Sequence, residues 1–230
     1  MQLRARTLPL IRQLSPLAPR SSVTTTDSEP ESLKLQLHPH VYTIYQSLKP
    51  NYTIIDDAGF AACHIQTKGF RPASPHLTMY HGKDAGGPVI AFVKISKSPR
   101  AAHLVRGHPS HAQNAIWEDL RRIDWWAGVK YRWEMAVIES TGDVARRGFV
   151  WKRTRTHHVE PPIDQSRSLL CQRYKLVDEK TRELLAVLSV DYGFRNFRRL
   201  AKVRFVSERY GRAFKQMVFL SALVVKDWED

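Results

Sequence analysis

At 230 residues the chain suits one domain plus a tail or two small domains, and its 43% apolar content is ordinary for a soluble globular protein. A net charge of +14 and a pI near 10.0 direct it towards anionic partners: nucleic acid, acidic lipid head groups or an acidic protein. The two cysteines, Cys63 and Cys171, show no metal-type pairing and fit two buried thiols in a reducing compartment rather than a disulfide scaffold.

Residues 1–32 form a tail. Arg4, Arg6, Arg12 and Arg20 precede the first acid, Asp27, with scattered leucines and a Ser/Thr-rich end. That is the composition of a mitochondrial transit peptide. Pro9, Pro16 and Pro19 oppose an amphipathic helix and fit a disordered basic tail instead, so both readings stand. Residues 21–32 are a polar linker, and one folded domain is expected over 33–230.

From Leu33 the texture becomes that of strands. Leu33, Leu35 and Leu37 alternate with polar neighbours, and Val41–Leu48 is β-rich and ended by Lys49-Pro50. Tyr52–Ile55, the turn Asp56–Gly59 and Phe60–Ile65 predict a hairpin. His76–Tyr80 is a short strand, and Val89–Ile95, bounded by glycine and proline, is a clear one. Residues 96–115 read as loop, and Ile116–Trp126 as a turn of helix or an edge strand. Lys130–Ile138, Gly148–Thr154, Leu170–Val177, Leu184–Val190 and Ala201–Val206 complete the series, with a hairpin turn at Asp178–Arg182.

Phe214–Trp228 is different. Met217–Val225 carries almost no polar face, which at a helical repeat of ~100° marks a helix buried on every side. A membrane span needs roughly 20 apolar residues, and this run is about a dozen between Lys215 and Lys226. With about ten short strands before it, the helix is expected inside a sheet curled around it: a mainly β, closed antiparallel barrel enclosing a hydrophobic C-terminal α-helix.

The series Gly148–Thr154, Tyr174–Glu179, Leu184–Leu188, Val203–Phe205 and Phe214–Leu223 resembles fungal proteins of the tubby C-terminal-like fold, shared with LURP-one-related proteins and phospholipid scramblases. The resemblance spans residues 40–228 and rests on strand order and texture. It implies a closed barrel threaded by its C-terminal helix and, by fold-level analogy, phosphoinositide binding through basic residues on the barrel.

No P-loop, dinucleotide fingerprint or nucleophile elbow is present, and the histidine pairs (His38/His40, His108/His111, His157/His158) lack the cysteine companions of a zinc site. The expectation is therefore a non-enzymatic binding module with no catalytic residues, no metal and no cofactor. Two basic runs stand out: Arg146, Arg147, Lys152, Arg153 and Arg155; and Arg195, Arg198, Arg199, Lys202, Arg204, Arg209 and Arg212. On strands, alternate residues share a face, so Lys202 and Arg204 are expected outward while Val203 and Phe205 point inward, and Arg153 and Arg155 share a face likewise. The candidate anion-binding set is Arg153, Arg155, Arg198, Arg199, Lys202 and Arg204. Its expected partner is acidic membrane lipid of the phosphoinositide type, in a cytoplasmic or peripheral-membrane protein without a transmembrane span. The alternative is an adaptor for protein or RNA, for which the aromatics interleaved with the basic runs would have to be exposed.

Overall fold

The computed structural model describes residues 40–47, 51–68, 74–96, 100–125, 128–139, 141–154, 171–191 and 199–229. The expected alternation at Leu33–Leu37 lies outside them. Twelve antiparallel strands follow one another around a closed barrel, each paired with its neighbours in sequence, and the last returns to pair with the first. They are β1 (Val41–Gln46), β2 (Asn51–Ile55), β3 (Ala61–Thr67), β4 (Leu77–His81), β5 (Val89–Ile95), β6 (Ala101–Arg106), β7 (Ile116–Trp125), β8 (Gly128–Ile138), β9 (Val144–Arg153), β10 (Cys171–Asp178), β11 (Leu184–Asp191) and β12 (Arg199–Phe205), followed by α1 (Gly211–Glu229).

Two expectations need correction. Residues 96–115 are not all loop, because β6 lies among them with Ala102, Leu104 and Val105 buried. Ile116–Trp125 is neither helix nor edge: β7 pairs with β6 on one side and β8 on the other. The first has a cause in the packing of the helix. The helix passes closest to β5 and β6, where the inward positions include the small side chains of Ala91 and Ala102. A strand that must leave room for a helix carries alanine where β-branched residues would have announced it.

Every position from Met217 to Val225 is buried, including Ser221. The inward residues of the barrel and these helix residues form one continuous core. Away from β5 and β6 the wider gap is filled by aromatics. Phe214 lies 5.9 Å from Trp133 and 4.9 Å from Phe149, ring centre to ring centre. The indole of Trp151 donates to Ser221 Oγ at 3.0 Å, and Ser221 donates to the Val218 carbonyl, so the helix's one buried hydroxyl is satisfied. Full burial of each large apolar side chain contributes about 1.5–3 kcal/mol. At the helix C-terminus Trp228 stacks on Tyr131, whose hydroxyl donates to Glu229.

The bulges are placed with purpose. Ala62, Ile90, Leu185 and Leu200 are each the unpaired extra residue where a ladder shifts register. Leu185 is fully buried in the core, and Ile90 and Leu200 pack against it. A bulge re-aims a side chain at a barrel rim, and here it turns additional apolar groups towards the helix.

The entry to α1 is tied to the β10–β11 turn. Tyr210 donates to the buried Asp178 carboxylate at 2.7 Å, and the Lys180 and Thr181 amides donate to its other oxygen. Burial alone would raise the Asp178 carboxyl, but these donors and Arg147 hold it below the usual range. The Tyr210 hydroxyl is pushed up to about 12, first by burial and then by its bond to Asp178. Burial pushes the Cys63 thiol up to about 12 as well, against the pull of Arg212. Both groups hold their protons more tightly folded than unfolded. Their share of stability is therefore complete below pH 9 and is lost as pH rises towards 12. Tyr210→Phe is expected to cost about 1–3 kcal/mol at neutral pH, since a buried carboxylate oxygen loses its donor. It should also flatten the alkaline decline. Urea unfolding at neutral pH and about pH 10.5 measures both; an unchanged neutral midpoint together with an unchanged alkaline slope would contradict this.

Candidate anion-binding face

On β8, β9 and β10 the residues between the buried Tyr131, Trp151, Tyr174 and Leu176 face outward. They place Lys130, Lys152 and Lys175 side by side, because Lys130 is in register with Lys152 and Lys152 with Lys175. The row continues through Val187 to Arg204. The next outward row carries Arg173, Ser189 and Lys202. Six cations thus occupy two adjacent rows of one outer face. Directly opposed residues of an antiparallel pair stand roughly 5 Å apart, and like charges there repel. Burial and then the cations Arg182, Lys130 and Lys175 draw the Lys152 ammonium below the ordinary lysine range, with Glu179 opposing. Burial does the same to Arg204. Val187, outward between Lys175 and Arg204, is only 7% exposed. The long stems beside it can cover it while their charged ends reach water.

Arg146 and Arg147, from the same basic run as Lys152, are instead paired within the protein. The β7–β8 ladder extends only from Arg121 to Trp125. Below it Arg146 of β9 bridges the two strands, bonding Glu118 of β7 at 2.5 Å and Glu134 of β8 at 2.9 Å, while Arg132 of β8 bonds Glu134 at 2.5 Å and Glu179, just past β10, at 2.9 Å. A Cβ at Gly148 would stand 2.3 Å from Glu179 Oε2, so glycine leaves room for that last pair. Arg147 pairs with Glu139.

Of the residues expected to bind anions, Lys202 and Arg204 are outward as expected, between the buried Ala201, Val203 and Phe205. Arg153 is in register with Tyr174, on the side of β9 that carries Trp151, and is exposed where the strand ends. It stands at the rim, and its neighbour Lys152 takes the outward position. Arg199 lies on β12, but its side chain is outside the described set, as are Arg155 and Arg198 altogether. Sequence reasoning missed Lys130, Lys152, Arg173 and Lys175 as a group, since cross-strand register brings them together from three separate strands. Alternation with Tyr131, Trp151 and Tyr174 was the available signal.

Among the described residues no helix is long and apolar enough to cross a membrane, and no three His, Cys, Asp or Glu side chains converge as metal ligands would. Comparison with protein-family models, curated proteins and solved structures finds no match. The fold and the face define the class: a closed twelve-strand antiparallel barrel around its C-terminal helix, with a cationic outer surface over β8–β12.

Proposed function

We propose that the protein is a non-enzymatic binding module of the tubby C-terminal-like type that adsorbs to anionic, phosphoinositide-type membrane surfaces through Lys130, Lys152, Arg173, Lys175, Lys202 and Arg204, with Arg153 at the rim. The lysine row Lys130–Lys152–Lys175 carries this reading. Three like charges abreast raise the energy of the isolated protein, and an anionic surface turns that repulsion into attraction of about 1 kcal/mol per residue. The barrel supports the family assignment through its closure and its threaded helix. Among the described aromatics that punctuate the basic runs, Phe149, Trp151 and Phe205 are buried and cannot stack on bases, which favours a lipid surface over single-stranded RNA; Phe197 lies outside the described residues.

Co-sedimentation with vesicles tests this. Vesicles containing phosphatidylserine and a phosphoinositide should pellet the wild-type chain, and neutral vesicles should not. Lys152→Glu/Lys175→Glu/Lys202→Glu should weaken adsorption on the order of 100-fold at low salt and flatten its salt dependence. Undiminished adsorption of the variant, or tighter retention of the wild type by single-stranded RNA than by acidic vesicles, would overturn the reading.

A further inference from the structure

A cavity of about 490 Å³ opens where α1 begins. Its size falls in the range of small-molecule sites, roughly 300–1,000 Å³. Tyr42, Ala62, Ile90 and Phe219 form its apolar wall, and Arg212 and Lys215 its charged one. Two of those apolar residues, Ala62 and Ile90, are the extra residues of β-bulges, so the wall exists because two ladders shift register at the same rim.

The two cations are not equivalent. Lys215 is engaged: it bonds Glu208 at 2.5 Å and lies 5.8 Å and 5.6 Å from the ring centres of Tyr42 and Phe205. Arg212 bonds only a ring nitrogen among the described residues, His81 Nδ1 at 2.9 Å, and its side chain is exposed. Two cations against one carboxylate leave a positive balance at the cavity. The start of the helix adds to it. Gly211, at φ +68, offers no capping side chain, the first turn holds no acid, and the positive end of the helix dipole lies beside Arg212. Lining the same cavity is the Cys63 thiol, which burial keeps protonated at neutral pH and which therefore adds no negative charge.

We propose that this cavity binds a small amphipathic monocarboxylate, its carboxylate forked by the Arg212 guanidinium and its apolar body laid against Tyr42, Ala62, Ile90 and Phe219. A planar guanidinium matches a carboxylate in two parallel bonds, and the apolar wall is too extensive for a bare inorganic anion to fill. The site is separate from the outer face over β8–β12 and does not depend on it.

Titration calorimetry on the full chain, with decanoate kept below its micellar range, tests the proposal. Decanoate should bind saturably at one site, with decanol and acetate each at least tenfold weaker, since each lacks one half of the match. Arg212→Gln, at an exposed position, should fold normally and bind decanoate at least tenfold more weakly. Ala62→Phe should fill the cavity and remove binding, with cooperative thermal unfolding confirming its fold; should it not fold, Arg212→Gln alone decides. No saturable heat with decanoate, equal binding of decanol, or wild-type affinity in Arg212→Gln would overturn the assignment.

Discussion

Leu220→Asp is expected to abolish folding. Leu220 is fully buried at the middle of a helix that is enclosed over its whole central length. An ionised carboxylate there has neither water nor a cation and cannot remain. The milder Leu220→Ala should cost about 2–5 kcal/mol through the cavity it leaves, out of a typical total of about 5–15 kcal/mol. Deletion after Ser207 removes the filling of the barrel, and the emptied sheet should aggregate. A truncated chain that stays soluble with its sheet signal intact by circular dichroism would contradict the enclosed-helix architecture.

Arg146→Ala is expected to be the most damaging substitution of a surface cation. Its guanidinium is more than half exposed, whereas the Glu118 carboxylate it serves is 1% exposed. Burial raises the Glu118 carboxyl above its ordinary range, and the bond to Arg146 opposes that rise. Removing Arg146 leaves the carboxylate buried beside Glu134 at the point where β7 and β8 part. The cost should be about 3 kcal/mol, the lower end for a broken buried pair, because water reaches the vacated side. The sign of the pH dependence follows. A carboxyl whose folded value lies above its unfolded one favours the folded state when protonated, so the deficit should shrink as pH falls from neutral through that raised value. Glu118→Gln/Arg146→Ala should recover most of the loss. A deficit independent of pH, or none in chemical denaturation, would show that the seam does not depend on this pair.

The fold was legible in the sequence to an uneven degree. The apolar girdle Met217–Val225 announced a helix with no exposed face, and with the strand-rich chain before it that pointed to a sheet curled around it. The hairpins at Asp56–Gly59 and Asp178–Arg182 were written in turn residues; in the structure Asp56 Oδ1 accepts from the Phe60 amide and Asp178 Oδ1 from two amides. β6 was hidden because Ala101 and Ala102 carry little strand preference. β7 was obscured by Glu118, Asp119, Arg121 and Arg122, of which Glu118 is buried against Arg146 while Asp119 and Arg121 pair on the exposed side.

The candidate face was half legible. Alternation gave the orientation of Lys202 and Arg204, while the lysine row needed the relative register of β8, β9 and β10, which no local pattern encodes. Run length misled in the opposite direction at Arg146 and Arg147. They sit in a basic stretch, yet Glu118 on β7 and Glu134 on β8 neutralise Arg146, and Glu139, just past β8, neutralises Arg147. The cavity at the helix entry could not be foreseen, since it depends on two bulges and on which rim α1 enters.

Under the proposed function, the position of the cations, and not the overall charge of +14, governs adsorption to anionic surfaces. The most direct measurement compares two triple variants of equal net charge on the same phosphoinositide-containing vesicles at low salt. One reverses Lys152, Lys175 and Lys202 on the face, and the other reverses Lys68, Lys83 and Lys94, on or beside β3, β4 and β5 and away from it. The account predicts that the first loses adsorption while the second stays within a few-fold of wild type. Equal losses in the two would reduce the face to bulk charge and contradict it.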